Sequence, residues 1–232
     1  MVTHPQLTLA LGMPAMSSLD SFHCESANAE LVATLSAFCS GELDEQQILL
    51  WGDRDVGKTH LLSATCQLYS GNGYQVGYMT GDIASRDEAL DGLENLDLVC
   101  LDDLHLLSVD AEESVYGLIN RCRDHNTRLL MASLLPVDEL PLALPDLRTR
   151  LTWGPVFHVQ ALTDDALPVV MQQLFEERSL QVSDDVIEFV LRRYPRDIAA
   201  IKSLVQKLDE VSLSTQRRIT IPLVKSTNET MA

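Results

Sequence analysis

Gly52-Asp53-Arg54-Asp55-Val56-Gly57-Lys58-Thr59 fits the spacing G-x-x-x-x-G-K-[ST]. The chemistry of that spacing is phosphate binding. Glycines at both ends let successive backbone N–H groups turn inward, and the helix that follows adds its positive N-terminal end. Asp53, Arg54, Asp55, Val56 and Gly57 would wrap the phosphates, with His60 just beyond them. Lys58 would supply a point charge for the β- and γ-phosphates, and Thr59 a hydroxyl ligand for Mg²⁺. At average composition such a match arises in a chain this long on the order of 1% of the time. A second group, Leu98-Val99-Cys100-Leu101-Asp102-Asp103, is an apolar run closed by two acids. A buried strand of this kind delivers carboxylates to the edge of a sheet where ligands bind. Asp102 would hold Mg²⁺ through water, and Asp103 would orient an attacking water. Alone, the run also fits an ordinary turn or helix cap. Together with Lys58 it points to a nucleoside di- or triphosphate, whose base the motif leaves open.

These residues need a sheet with helices around it. Gln47–Trp51, Tyr74–Met79, Leu98–Leu101 and Arg128–Ala132 read as short buried strands, and Val156–Val159 as another. Between them, helical spacing appears at residues 28–39, at Leu61, Leu62, Cys66 and Leu68, and at Val115, Leu118, Ile119 and Cys122. Alternating strands and helices imply an α/β layer with a parallel sheet. After Val159 the pattern becomes helical. One helix runs from Thr163 to about Arg178, a second starts at Ser183-Asp184-Asp185, and a third spans Asp197–Leu213. The expected organisation is an arm over residues 1–18, an α/β core over 19–160 and a helical subdomain over 161–232.

Composition limits the partners. The chain has 232 residues, with 34 acidic and 17 basic side chains and a net charge of −17. Residues 1–191 hold 30 acidic and 9 basic side chains, net −21, whereas residues 192–232 are net +4. Duplex binding draws on lysine and arginine, so direct DNA binding is not expected. No apolar run approaches a membrane span, and no basic residue precedes Arg54, so the expectation is a cytoplasmic protein with neither secretory signal nor membrane contact. The five cysteines lack metal spacing and read as buried free thiols.

The two motifs and several further segments resemble the AAA+ domain of the bacterial replication initiator DnaA, and more closely the Hda family of short DnaA-homologous regulators. The likeness covers nearly the whole chain. Leu19-Asp20-Ser21-Phe22 with Asn28 is similar to the segment that packs around adenine in the initiator. The resemblance therefore implies that the cofactor is ADP or ATP and that Phe22 and Asn28 bind it. Arg148-Thr149-Arg150-Leu151-Thr152-Trp153-Gly154 resembles the segment carrying the arginine finger, which implies a catalytic role for Arg150 on a neighbouring subunit's γ-phosphate. Pro195-Arg196-Asp197-Ile198 resembles the start of the lid helix, which implies phosphate sensing by Arg196. Gln6-Leu7-Thr8-Leu9-Ala10-Leu11 resembles a sliding-clamp-binding peptide, with Gln6, Leu7, Leu9 and Leu11 as contacts.

The resemblance implies a regulator that, with the DNA-loaded clamp (polymerase β subunit), stimulates hydrolysis of initiator-bound ATP and so prevents re-initiation. A homodimer or small oligomer is the expected assembly. The alternative is an autonomous Mg²⁺-dependent ATPase, a loading or remodelling factor in replication. Two departures bear on the choice. The initiator carries Ser-Asp-Arg after the strand matching Arg128–Ser133, where this chain has Ser133-Leu134-Leu135. Efficient self-hydrolysis is therefore not expected. The chain also continues only 19 residues past Leu213, too few for the initiator's DNA-binding domain.

Overall fold

The computed structural model describes residues 9–10, 18–86, 88–194, 198–215 and 218–229. They form two compact units that divide between Gln160 and Ala161.

In the first unit, β1 (Leu9–Ala10), β2 (Gln47–Trp51), β3 (Val76–Thr80), β4 (Leu98–Asp102), β5 (Arg128–Ser133) and β6 (Val156–His158) make one sheet in the order β1-β3-β4-β5-β2-β6. Every pairing is parallel. Helices α1 (Ala29–Ser40), α2 (Lys58–Gly71), α3 (Gly81–Ala84), α4 (Glu112–His125) and α5 (Pro145–Leu151) connect the strands. Strand side chains alternate between two cores, as a period of two requires. Ile48, Leu50, Leu98, Cys100, Leu130 and Ala132 pack with α1 and α2 residues such as Leu35, Phe38, Leu61 and Leu62. Leu49, Val99, Leu101, Leu129 and Met131 face the opposite way, toward Val115, Leu118, Leu147 and Leu151 of α4 and α5. The near-continuous apolar strands in the sequence are thus buried on both faces.

Sequence and structure differ at several ends. The second expected strand begins at Val76 rather than Tyr74, because Tyr69 and Ser70 carbonyls take the Tyr74 and Gly73 N–H groups in the turn that ends α2. Within residues 1–18, Leu9 and Ala10 lie against Gly77 and Tyr78, adding a strand to the otherwise unpaired edge of β3. Cys66, Cys100 and Cys122 are buried free thiols, whereas Cys24 is exposed.

The second unit comprises α6 (Leu167–Glu176), α7 (Asp184–Arg193), α8 (Ile198–Thr215) and α9 (Ile221–Glu229). Met171, Phe175, Val190, Val205, Leu208 and Val224 form its core. Helix α9 was not anticipated. Its signal is Thr220 before Ile221-Pro222, since proline is tolerated where the first-turn N–H has no helical partner. No helix among the described residues is long and apolar enough to cross a membrane.

Candidate functional site

Strand β2 ends at Trp51 and hands the chain directly to the glycine-rich loop. Trp51 stacks on His158 of β6, with ring centroids 3.9 Å apart. The loop turns through left-handed conformations at Asp55 (φ 61°) and Gly57 (φ 100°), then enters α2 at Lys58. Only 7% of Lys58 is exposed. Its ammonium donates to the carbonyl oxygens of Gly52 at 2.8 Å and Asp53 at 2.6 Å. Burial lowers its pKa, and the carboxylates of Asp102, Asp103, Asp53 and Asp55 oppose that shift. Asp53, Arg54 and Asp55 are exposed on the rim, with Val56 half-buried below them.

The segment before α1 is fastened to this loop. A Cβ on Gly57 would stand 2.7 Å from Cε2 of Phe22, so the phenylalanine ring lies directly over the glycine. Nε2 of His60 lies 3.0 Å from the Ser18 carbonyl oxygen and 3.3 Å from Ser21 Oγ. Asn28 is buried, and both ends of its amide meet the Gln160 backbone: Nδ2 donates to the carbonyl oxygen at 3.0 Å, and Oδ1 accepts from the N–H at 2.9 Å. Asn28 therefore ties the start of α1 to the end of β6.

Asp102 is 1% exposed at the end of β4. Its carboxylate accepts from Thr59 Oγ1 at 2.6 Å, Tyr78 OH at 2.8 Å and the Asp103 N–H at 2.8 Å. Burial first, then the Asp102 charge, pushes the Tyr78 phenol well up. The same two causes raise the Asp103 carboxyl. Asp103 takes a left-handed φ of 52°, which turns it away from the strand axis. The Thr59 hydroxyl and the Asp102 carboxylate are hard oxygen donors side by side, the donor type that suits Mg²⁺, which keeps waters and substrate phosphates as its other ligands.

At the end of β5, the fully buried Ser133 accepts the Leu135 N–H at its hydroxyl, and the Leu134 N–H donates to Nδ1 of His105. His105 also lies 3.9 Å from Asp103. The sequence reading did not single out this histidine. Its only signal is its position two residues past the acid pair.

Arg150 belongs to the other end of the sheet. Gln47, the first residue of β2, donates through its side-chain amide to the Arg150 carbonyl at 2.8 Å and the Leu151 carbonyl at 3.1 Å. Four strand steps of about 3.3 Å separate that contact from Trp51 and the phosphate loop of the same chain. The Arg150 guanidinium donates from Nε to Asn120 Oδ1 at 2.9 Å and from Nη2 to Tyr116 OH at 3.2 Å. It lies over Trp153, 3.9 Å from the ring centroid. Glu112, 2% exposed, accepts the Ala143 and Leu144 N–H groups and so fixes the entry to α5. Arg148 donates to the Val137 and Leu140 carbonyls from within α5. Glu112, Tyr116 and Asn120 recur every four residues on α4, which puts them in one stripe. That periodicity was visible, but not what it faces. Arg196, Gln6, Leu7 and Leu11 lie outside the described residues; the backbone of Leu9 is in β1.

Residues 164–227 match the family model of the Hda lid domain. Over that segment the chain is similar to the Hda family. The chain has the fold of the following solved structures. Domain III of Thermotoga maritima DnaA superposes with a TM-score of 0.79 at 15% identity, covering 90% of this chain and 94% of that one. AMPPCP-bound DnaA from Aquifex aeolicus gives 0.75 at 19% identity, covering 87% and 67%. The Thermotoga maritima RuvB Holliday junction branch migration motor gives 0.70 at 19% identity, covering 93% and 72%. At these identities the likeness defines the fold of this Hda-like chain.

Proposed function

We propose that this chain binds an adenine nucleotide at Gly52–Thr59 and regulates a DnaA-type initiator by presenting Arg150 to the nucleotide held by that partner. The observation that carries the reading is the placement of Arg150. It sits at the amino-terminal end of β2, far from the phosphate loop of its own chain, and its guanidinium is held by Asn120, Tyr116 and Trp153. A cation so placed serves a phosphate on another subunit. Held in advance by its neighbours, it costs little reorganisation when charge develops there.

Within the chain's own site, Thr59 and Asp102 would hold Mg²⁺, which would neutralise part of the phosphates' negative charge. Lys58 would exchange the Gly52 and Asp53 carbonyls for phosphate oxygens. Phe22 would cover the nucleotide side of Gly57. The Gln6–Leu11 segment would dock on the sliding clamp, bringing Arg150 to an initiator on the same DNA. Since Leu9–Ala10 pairs with β3, that docking competes with a short strand.

The test is reconstitution of ATP-loaded initiator with clamp-loaded DNA and the full chain. Arg150→Ala should lower stimulated hydrolysis by at least about a thousandfold, the lower end of the range for lost arginine fingers. Its own nucleotide and clamp binding should persist. Stimulation equal to the parent protein would overturn the reading. The intact Thr59–Asp102 contact also favours a second reading, an autonomous ATPase. Steady turnover by the purified chain without any partner would select it.

A further inference from the structure

Trp153 carries a second cation. The guanidinium carbon of Arg123, in the last turn of α4, lies 4.3 Å from the indole centroid, and that of Arg150 lies 3.9 Å from it. The two carbons are therefore no more than about 8 Å apart. Like charges held this close repel each other, and an anion reaching both relieves the repulsion. Neither arginine has a carboxylate within 4.0 Å among the described residues.

The other basic groups nearby are committed differently. Arg121 pairs with Glu94, Arg148 donates to two loop carbonyls, and Arg128 donates to the Leu43 carbonyl beneath the Phe38 ring. Arg123 is exposed, and its guanidinium lies over the Trp153 face. Arg150 uses Nε and Nη2 on α4, which leaves Nη1 to point elsewhere. One helix sets both heads, because Asn120 and Arg123 are three residues apart on the same face.

The hollow of about 350 Å³ lined by Arg123 and Trp153 is not the anion's place, because Asp44 and Glu45 line it too. Over the guanidiniums, a single small anion would meet one arginine. A chain of linked phosphates would meet both.

We propose that Arg123 is a second anion-recognition residue, forming with Arg150 on the Trp153 indole a two-cation cradle for the phosphate chain of a neighbouring subunit's nucleotide. The proposal rests on the trans reading of Arg150 given above. It also explains why an acidic body places two arginines on one ring at the finger helix.

Stimulated hydrolysis by the full chain should be measured at increasing concentration against ATP-initiator and clamp-loaded DNA, for Arg123→Ala, Arg123→Lys and Arg123→Glu. The expected result is a saturated rate about fivefold lower for Arg123→Ala, partial recovery with lysine and a further fall with glutamate. The half-saturating concentration and the thermal midpoint should move little. Two results would overturn the proposal: a rate equal to the parent's, or a change confined to half-saturation, which marks a contact with the partner's protein surface. If Arg150→Ala abolishes stimulation while Arg123→Ala is neutral, only this inference fails. If both variants behave as the parent, the trans reading itself fails.

Discussion

The side-chain amide of Gln47 holds the carbonyl oxygen of Arg150 at 2.8 Å, and Gln47 is the first residue of the strand whose last residue leads into the phosphate loop. One strand thus supports the two candidate chemical groups at its opposite ends. Gln47→Leu fills similar space but leaves the Arg150 and Leu151 carbonyls without this donor. Stability should fall by about 1–3 kcal/mol, the cost of an orphaned buried acceptor. Stimulation should fall further than nucleotide binding. Denaturant titration alongside both assays checks this, and an equal loss in the two activities would count against a local effect on α5.

Gly57 sits at φ 100° under the Phe22 ring. Gly57→Ala should destabilise the chain by about 1–3 kcal/mol through strain and contact together. In a Phe22→Ala background the contact disappears but the backbone strain does not. A double-mutant cycle should therefore show a smaller, non-zero cost for Gly57→Ala. An unchanged cost would mean that the ring contact adds nothing.

Asp103 has its pKa raised above 3.8 by burial, then by Asp102. A carboxyl whose folded pKa is raised destabilises the fold once ionised, at pH above that folded value. The penalty vanishes as pH falls below the unfolded value near 3.8. Asp103→Asn keeps the left-handed backbone and removes the charge. It should stabilise the nucleotide-free protein at pH 7 by less than about 1 kcal/mol, discounted because 39% of the side chain is exposed. Melting curves from pH 7 to pH 4 should show the gain shrinking. A gain that grows with acidity would refute the assignment.

Glu112 accepts two backbone N–H groups just before α5. Removing it in Glu112→Ala should cost about 2–3 kcal/mol, since both donors lose a charged acceptor. Glu112→Gln keeps one good acceptor and turns an amide N–H₂ toward the other donor, so it should lie between. Urea unfolding ranks the three proteins. Alanine and glutamine variants of equal stability would show that the carboxylate is not what fastens the loop.

Much of the site was legible because its chemistry is local. A phosphate loop is built from eight consecutive residues whose glycine positions set the backbone, and Gly57 does adopt a left-handed φ. Asp102 was legible because a buried apolar strand must end somewhere, and an acid there meets the sheet's ligand edge. Boundaries such as Tyr74 were less clear, because turn hydrogen bonds at a helix end compete with the sheet.

By contrast, Gln47 and Arg150 are 103 residues apart, Glu112 and Leu144 are 32 apart, and Asn28 and Gln160 are 132 apart. Nothing in the spacing of such pairs records that they meet. The amino-acid sequence alone determined the strand–helix alternation and the glycine-rich loop offered as the phosphate site, since backbone preference and hydrophobic period are properties of neighbours in the chain. Only the tertiary structure decided that Arg150 stands at the end of β2 away from its own phosphate loop, with Arg123 beside it on Trp153. Those positions come from side-chain hydrogen bonds and ring contacts that exist only after the sheet brings distant segments together.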